Sequence, residues 1–258
     1  MNQVARADVA ALGELLQLVA LGKTNDLLAK RFEREAKANI AKGAFELPMW
    51  FMVLCVATAA QGKVEDSARA AENAVNLAPK DLAIVGNVVA TLGNTGNAIA
   101  ALPFAWQLAE FDDRAGARPR LNALIVMRKA LRFEEAAEMA KAKSFNENPF
   151  AVENARLLDA RITRDITVEM RQTMLETAIR AVRGLGYTIR QTNLEQYDDQ
   201  LRYEMFIEES PAGCGAVNLA IADALCERFD DPAPEAITFA CRPLSSYKFD
   251  GEFITVRR

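Results

Sequence analysis

Apolar residues recur at steps of three and four through most of the chain and at steps of two after about residue 187, so helices give way to strands. Val9, Leu12, Leu15, Leu16, Val19 and Ala20 share one helical face and predict a helix over 6–21. Gly22-Lys23-Thr24-Asn25 supplies its stop and the next cap. A second helix is predicted over 26–42, with Leu27, Leu28, Phe32, Ala36 and Ile40 inward. Lys30, Arg31, Glu33, Arg34, Glu35 and Lys37 form its solvated side, where Glu33 and Lys37 stand four apart. Gly43 ends that helix, and Pro48 falls where a first helical turn accepts a residue lacking an N–H. Residues 47–60 are too short for a membrane span and read as a buried helix. Helices over 48–61 and 64–77, joined at Gly62-Lys63 and closed before Pro79, make a helical hairpin.

That hairpin sets a period. Phe51, Leu54, Cys55, Thr58, Gly62, Ser67, Ala71, Ala74 and Pro79 are followed one period of about 34 residues later by Val85, Val88, Val89, Leu92, Gly96, Ala101, Ala105 and Leu108. Asp113 stands where the second Pro is due. A third period brings Leu124, Leu131 in the place of the turn glycine, Phe133, Ala136, Ala140 and Pro149. The pattern resembles the tetratricopeptide repeat over about residues 48–149, with Thr58 and Ala71 smaller than the aromatics usual there. What the resemblance implies is a stack of antiparallel helix pairs whose first helices line a concave groove. Carried across, the groove positions are Met49, Met52, Val56, Ala60, Ala90, Asn94, Arg120, Leu124 and Arg128, apolar at one end and polar at the other. Such a groove suits an extended or helical peptide segment. The Lys and Asn cluster by which chaperone-binding members hold a C-terminal carboxylate is not present, so that mode is not expected. The competing expectation is that the first helices or the C-terminal domain fill the groove.

After Pro149 the period is lost. A helix is predicted over 150–161, and a long one, capped by Asp165, runs to about Arg183 with Val168, Leu175, Ala178, Ile179 and Val182 on one face. Alternation at Tyr187–Thr192 and Leu201–Glu208 predicts a hairpin of strands with Asn193–Gln200 as its connection. Pro211-Ala212-Gly213 reads as a turn before a helix over 216–228, Ala236–Cys241 as a strand, and Asp250-Gly251 as the tip of a last hairpin. The fold class expected is α+β. A tetratricopeptide-like helical-hairpin array over 1–164 precedes a small α/β sandwich-like domain, α-β-β-α-β, over 165–258.

The 258 residues are 51% apolar and 26% charged, as in ordinary globular chains, and the net charge of -4 argues against a phosphate-binding surface. No secretory signal or membrane span is expected at the start of the sequence or within it. Cys55, Cys214, Cys226 and Cys241 lie in apolar settings without Cys-x-x-Cys spacing, which predicts buried thiols and a cytoplasmic setting. The chain has no histidine, which removes Ser-His-Asp and Cys-His catalysis, His-based zinc sites and His acid-base chemistry.

Residues 86–97 and 184–187 are glycine-rich but match no phosphate-binding fingerprint and read as helix turns. Ser210–Asn218 follows a strand and opens a helix, so it could hold an anion and lower the pKa of Cys214. The simpler reading is a turn with a small buried thiol. Asp198, Glu208 and Asp230 end predicted elements and would be the ligands of a carboxylate metal site in a hydrolase or nuclease. The preferred expectation is a non-enzymatic adaptor, chaperone or regulator that binds another protein or peptide segment and needs no cofactor. An inhibitor covering a toxin or effector is the alternative among binding proteins.

Overall fold

The structure is a computed structural model that describes residues 3–23, 25–44, 46–111, 118–197 and 200–248, with the side chains of the first helix from residue 12 onward. It is mostly helical and carries a small three-stranded sheet toward the C-terminus. The helices are α1 (Gln3–Ala20), α2 (Asp26–Ala41), α3 (Leu47–Ala60), α4 (Val64–Leu77), α5 (Leu82–Asn94), α6 (Ala98–Ala109), α7 (Arg118–Lys129) and α8 (Phe133–Ala142). They continue as α9 (Pro149–Asp159), α10 (Arg161–Arg164) and α11 (Val168–Gly184), and α12 (Pro211–Arg228) lies between the second and third strands. The strands are β1 (Gln191–Tyr197), β2 (Gln200–Ile207) and β3 (Ile237–Pro243).

Consecutive helices from α2 to α9 pack on one another, and α3, α5, α7 and α9 also pack in a row. That row is the middle layer. Residues 84–94 of α5 and 122–129 of α7 are buried all round, which a helix with only one covered face would not be. On one side lie the even-numbered helices, whose buried Ala70, Ala71, Ala74, Ala101, Ala105, Ala136 and Ala140 allow close approach. On the other side α1 packs across α3 and α5, and β1 packs against α5 and α7.

Side chains start the helices where the sequence places them. Asn25 accepts the Leu28 N–H, and Asp81 accepts those of Ala83 and Ile84. The cap of α11 is Thr167, which accepts the Met170 N–H, and Asp165 lies outside that helix. The expected turn at Pro211-Ala212-Gly213 is helix instead. Ser210 caps α12 and Pro211 occupies its first position, where the missing N–H has no helical partner to lose.

β1 pairs antiparallel with β2, and β2 pairs parallel with β3. β1 therefore begins later than the alternation predicts and uses Asn193–Tyr197, the expected connection. One sheet face carries Leu201, Tyr203, Met205, Ile207, Ile237, Phe239 and Cys241 into a second core with α11 and α12. This core also takes in Leu131 and Phe133 from the α7–α8 turn, and Leu157 and Ile162 from α9 and α10. At the outer side of β3 the Asn218 amide of α12 accepts the Cys241 N–H (2.5 Å) and donates to the Cys241 carbonyl (3.3 Å). The expected hairpin at Asp250-Gly251 lies outside the described residues, as does Asp198.

Two charged groups fasten the helices. Arg171 of α11, fully buried, donates to both Glu134 oxygens (2.5 and 2.7 Å) and to Thr163 (3.0 Å), and stacks 5.2 Å over the Phe133 ring. Glu33 of α2 accepts from Lys37 (2.6 Å), Lys63 (2.7 Å) and Gln61 (2.9 Å), which ties α2 to the α3–α4 turn. Burial alone would raise the Glu33 pKa, but the three hydrogen bonds together outweigh it and hold the carboxyl at about 2, against an ordinary 4.5. The ionised form is thus favoured by folding. Its contribution to stability is present above about pH 4.5 and is lost as pH falls toward about 2. Chemical denaturation at a series of pH values should show this loss in the native chain, and Glu33→Gln should flatten that part of the profile. An unchanged profile would show that the clip does not form.

Candidate functional site

The helical array presents its helix ends along one edge, and the segment from the end of α11 to the start of β1 runs across that edge. The last carbonyls of a helix have no partner inside it, so a chain packed against them must bring donors. Arg183 donates to the Gly96 carbonyl (3.1 Å), Arg190 to Ala60 (2.7 Å), Gln191 to both Val19 and Ala20 (2.9 Å each), and Thr192 to Gly93 (3.3 Å). The C-terminal ends of α1, α3 and α5 are each met in this way. Two of the donors are cationic, the sign favoured at the negative end of a helix.

The turn residues that set the sequence period have a second role at this edge. Gly62 and Gly96 have φ of +73° and +67°, and a Cβ there would run into Thr188 and Ile189 respectively. The third turn carries Leu131 at φ 58°, a conformation costing roughly 1–2 kcal/mol in an L-residue. Its side chain is buried in the second core, and that burial offsets the strain.

The expected open groove is closed. Met52, Val56, Ala60, Ala90, Asn94, Leu124 and Arg128 are buried, and Met49 and Arg120 are half-buried. Their helices lie beneath α1 and β1. Arg128 serves the array itself, donating to Glu153 of α9 (3.0 Å) and stacking 5.4 Å from the Phe150 ring. The sequence did carry a signal for this closure, since α3 is apolar around almost its whole circumference.

Of the carboxylates of the alternative metal site, Glu208 and Asp230 are not brought together. Glu208 precedes α12 and Asp230 follows it, and 18 helical residues span about 27 Å. Glu208 is engaged by Arg190 (3.4 Å), and no metal-ligating cluster occurs among the described residues. One of the four thiols departs from the expectation that they are buried. Cys55, Cys214 and Cys241 are buried, whereas Cys226 is exposed on α12. Burial pushes the Cys55 thiol up to about 12, and burial followed by the nearby Glu209 raises that of Cys214. The activated thiol considered for the start of α12 is thereby overturned. Glu209 occupies that helix end itself, its Oε1 accepting the Ser210 N–H (2.6 Å) and its Oε2 the Tyr187 hydroxyl (3.1 Å). Hydrogen bonds from Ser210, then from Tyr187, hold the Glu209 carboxyl below its ordinary pKa.

Glu209 lines a cleft of about 540 Å³ where the array meets the sheet. The cleft lies between the end of α1 and the turn after β3, with Leu21, Lys23, Glu208, Leu244, Ser245 and Tyr247 as the other lining residues. The sequence reading missed it, because its apolar residues come from segments more than 200 residues apart. The recess beside Arg183 and Thr188, at about 20 Å³, holds little more than a water molecule. Comparison with family models, with curated proteins and with solved structures brings no match.

Substitutions at the turn glycines and at Arg128 test this packing. Gly43 has φ +64° with open space around it, so Gly43→Ala should cost only the backbone strain of roughly 1–2 kcal/mol. Gly62→Ala should cost clearly more, and Thr188→Ala should recover the excess; equal losses measured by denaturation would remove the close approach from the account. Arg128→Glu would set a carboxylate beside Glu153 in a buried position. It should destabilise by roughly 3–5 kcal/mol, and unaltered stability would reinstate an open surface there.

Proposed function

We propose that the protein is a non-enzymatic, protein-binding adaptor or regulator built on a tetratricopeptide-like array, with its contact surface outside the filled groove. The observation that carries this reading is the register of the array. Helix pairs α3–α4, α5–α6 and α7–α8 turn at Gly62, Gly96 and Leu131, all at positive φ, and small residues space the layers. Stacked helical pairs of this kind hold a surface at fixed geometry, which suits recognition of another protein. Intramolecular filling of the concave side by α1 and β1 moves recognition to the junction of array and sheet, where a recess remains.

The full chain, tagged and recovered from its native cell, should retain a partner that re-forms a complex from purified components with a dissociation constant of roughly micromolar or below. Recovery of the chain alone, together with Mg²⁺- or Mn²⁺-dependent hydrolysis by the purified protein, would overturn the reading.

A further inference from the structure

We propose that the cleft between the end of α1 and the turn after β3 holds a partner segment presenting a Lys or Arg side chain flanked by aliphatic or aromatic ones. This rests on the protein-binding reading above. The cleft volume of about 540 Å³ falls within the roughly 300–1,000 Å³ usual for ligand recesses. Its apolar lining is Leu21, Leu244 and Tyr247, all half-buried, with Tyr247 set edge-on to the Phe206 ring at 5.0 Å.

The charge argument turns on Glu209. Both of its oxygens are fixed by neutral donors, the Ser210 N–H and the Tyr187 hydroxyl, and no Lys or Arg among the described residues forms an ion pair with it. Glu208 differs, being paired with Arg190. A carboxylate offers about four acceptor sites, so Glu209 can receive a further charged donor without moving. A fixed acceptor loses little conformational entropy on binding. Lys23 also borders the cleft, and its charge disfavours a second cation near the α1 end. The basic side chain is therefore directed to the Glu209 end, with the apolar neighbours over Leu21, Leu244 and Tyr247. Glu209 also packs against Gly213, so closely that a Cβ there would overlap its side chain.

The test uses the full chain and two blocked tripeptides, acetyl-Phe-Arg-Leu-amide and acetyl-Phe-Glu-Leu-amide, followed by NMR shifts of Leu21, Leu244 and Tyr247. The Arg peptide should give saturable shifts with a dissociation constant of order millimolar, weakened up to about fivefold by Glu209→Gln. The Glu peptide should give none. Absence of saturable shifts with the Arg peptide up to about 10 mM, or equal shifts with both peptides, would overturn the proposal. Binding confined to a chain ending at Lys248 would also overturn it, assigning the cleft to the chain's own last residues. A partner captured equally well by native chain and Glu209→Gln would refute the cleft while leaving the adaptor reading intact.

Discussion

The arrangement depends on one requirement: helix-end carbonyls enclosed by packing must find donors. Helices α1, α3 and α5 end at the same edge, and the segment Arg183–Thr192 crosses it carrying guanidinium, amide and hydroxyl groups in sequence. Because a side chain on the turn would hold that segment off, the turns at Gly62 and Gly96 must lack one. Because β1 continues directly from the segment, the strand is delivered onto α5 and α7. Closure of the groove thus follows from how the helix ends are satisfied.

Most of the helical part was legible. α4 falls where the sequence places it, and α1, α2, α3 and α9 begin and end within a few residues of expectation, because the apolar period and the Gly and Pro punctuation agree. The shifts occur where side chains answer to tertiary partners. Tyr187 and Ile189 alternate as a strand would, yet Thr188 and Ile189 pack on the turn glycines and only the following residues join the sheet. Asn193–Gln196 looks like a polar connection because β1 meets a helical layer rich in polar groups. The groove residues lie on α3, α5 and α7, and pattern alone could not show which segments lie over them. The cleft was invisible for a different reason: neither Leu21 nor Leu244 is remarkable in its own stretch of sequence.

The two cores are joined by charge as well as by apolar contact. Arg171 has no exposed surface, and Glu134, Thr163 and the Phe133 ring replace the water lost from its two terminal nitrogens, while its Nε has no hydrogen-bond partner among the described residues. Removing one partner would strand a buried charge, which is far more damaging than losing an exposed pair. Since α8, α10 and α11 all contribute, the array and the sheet layer are coupled mechanically through this point. Leu131 works in the same region, accepting backbone strain so that its side chain can enter the second core.

The Asn218 amide at β3 has a further consequence. A sheet grows when another strand finds unpaired N–H and C=O groups along its margin, and that is how edge strands seed aggregates. Here the Cys241 groups are already taken by a side-chain amide that imitates a neighbouring peptide bond, and Pro243 brings no N–H. Along Cys241 and Pro243 the outer margin of this small sheet is thereby made a poor template for a further strand.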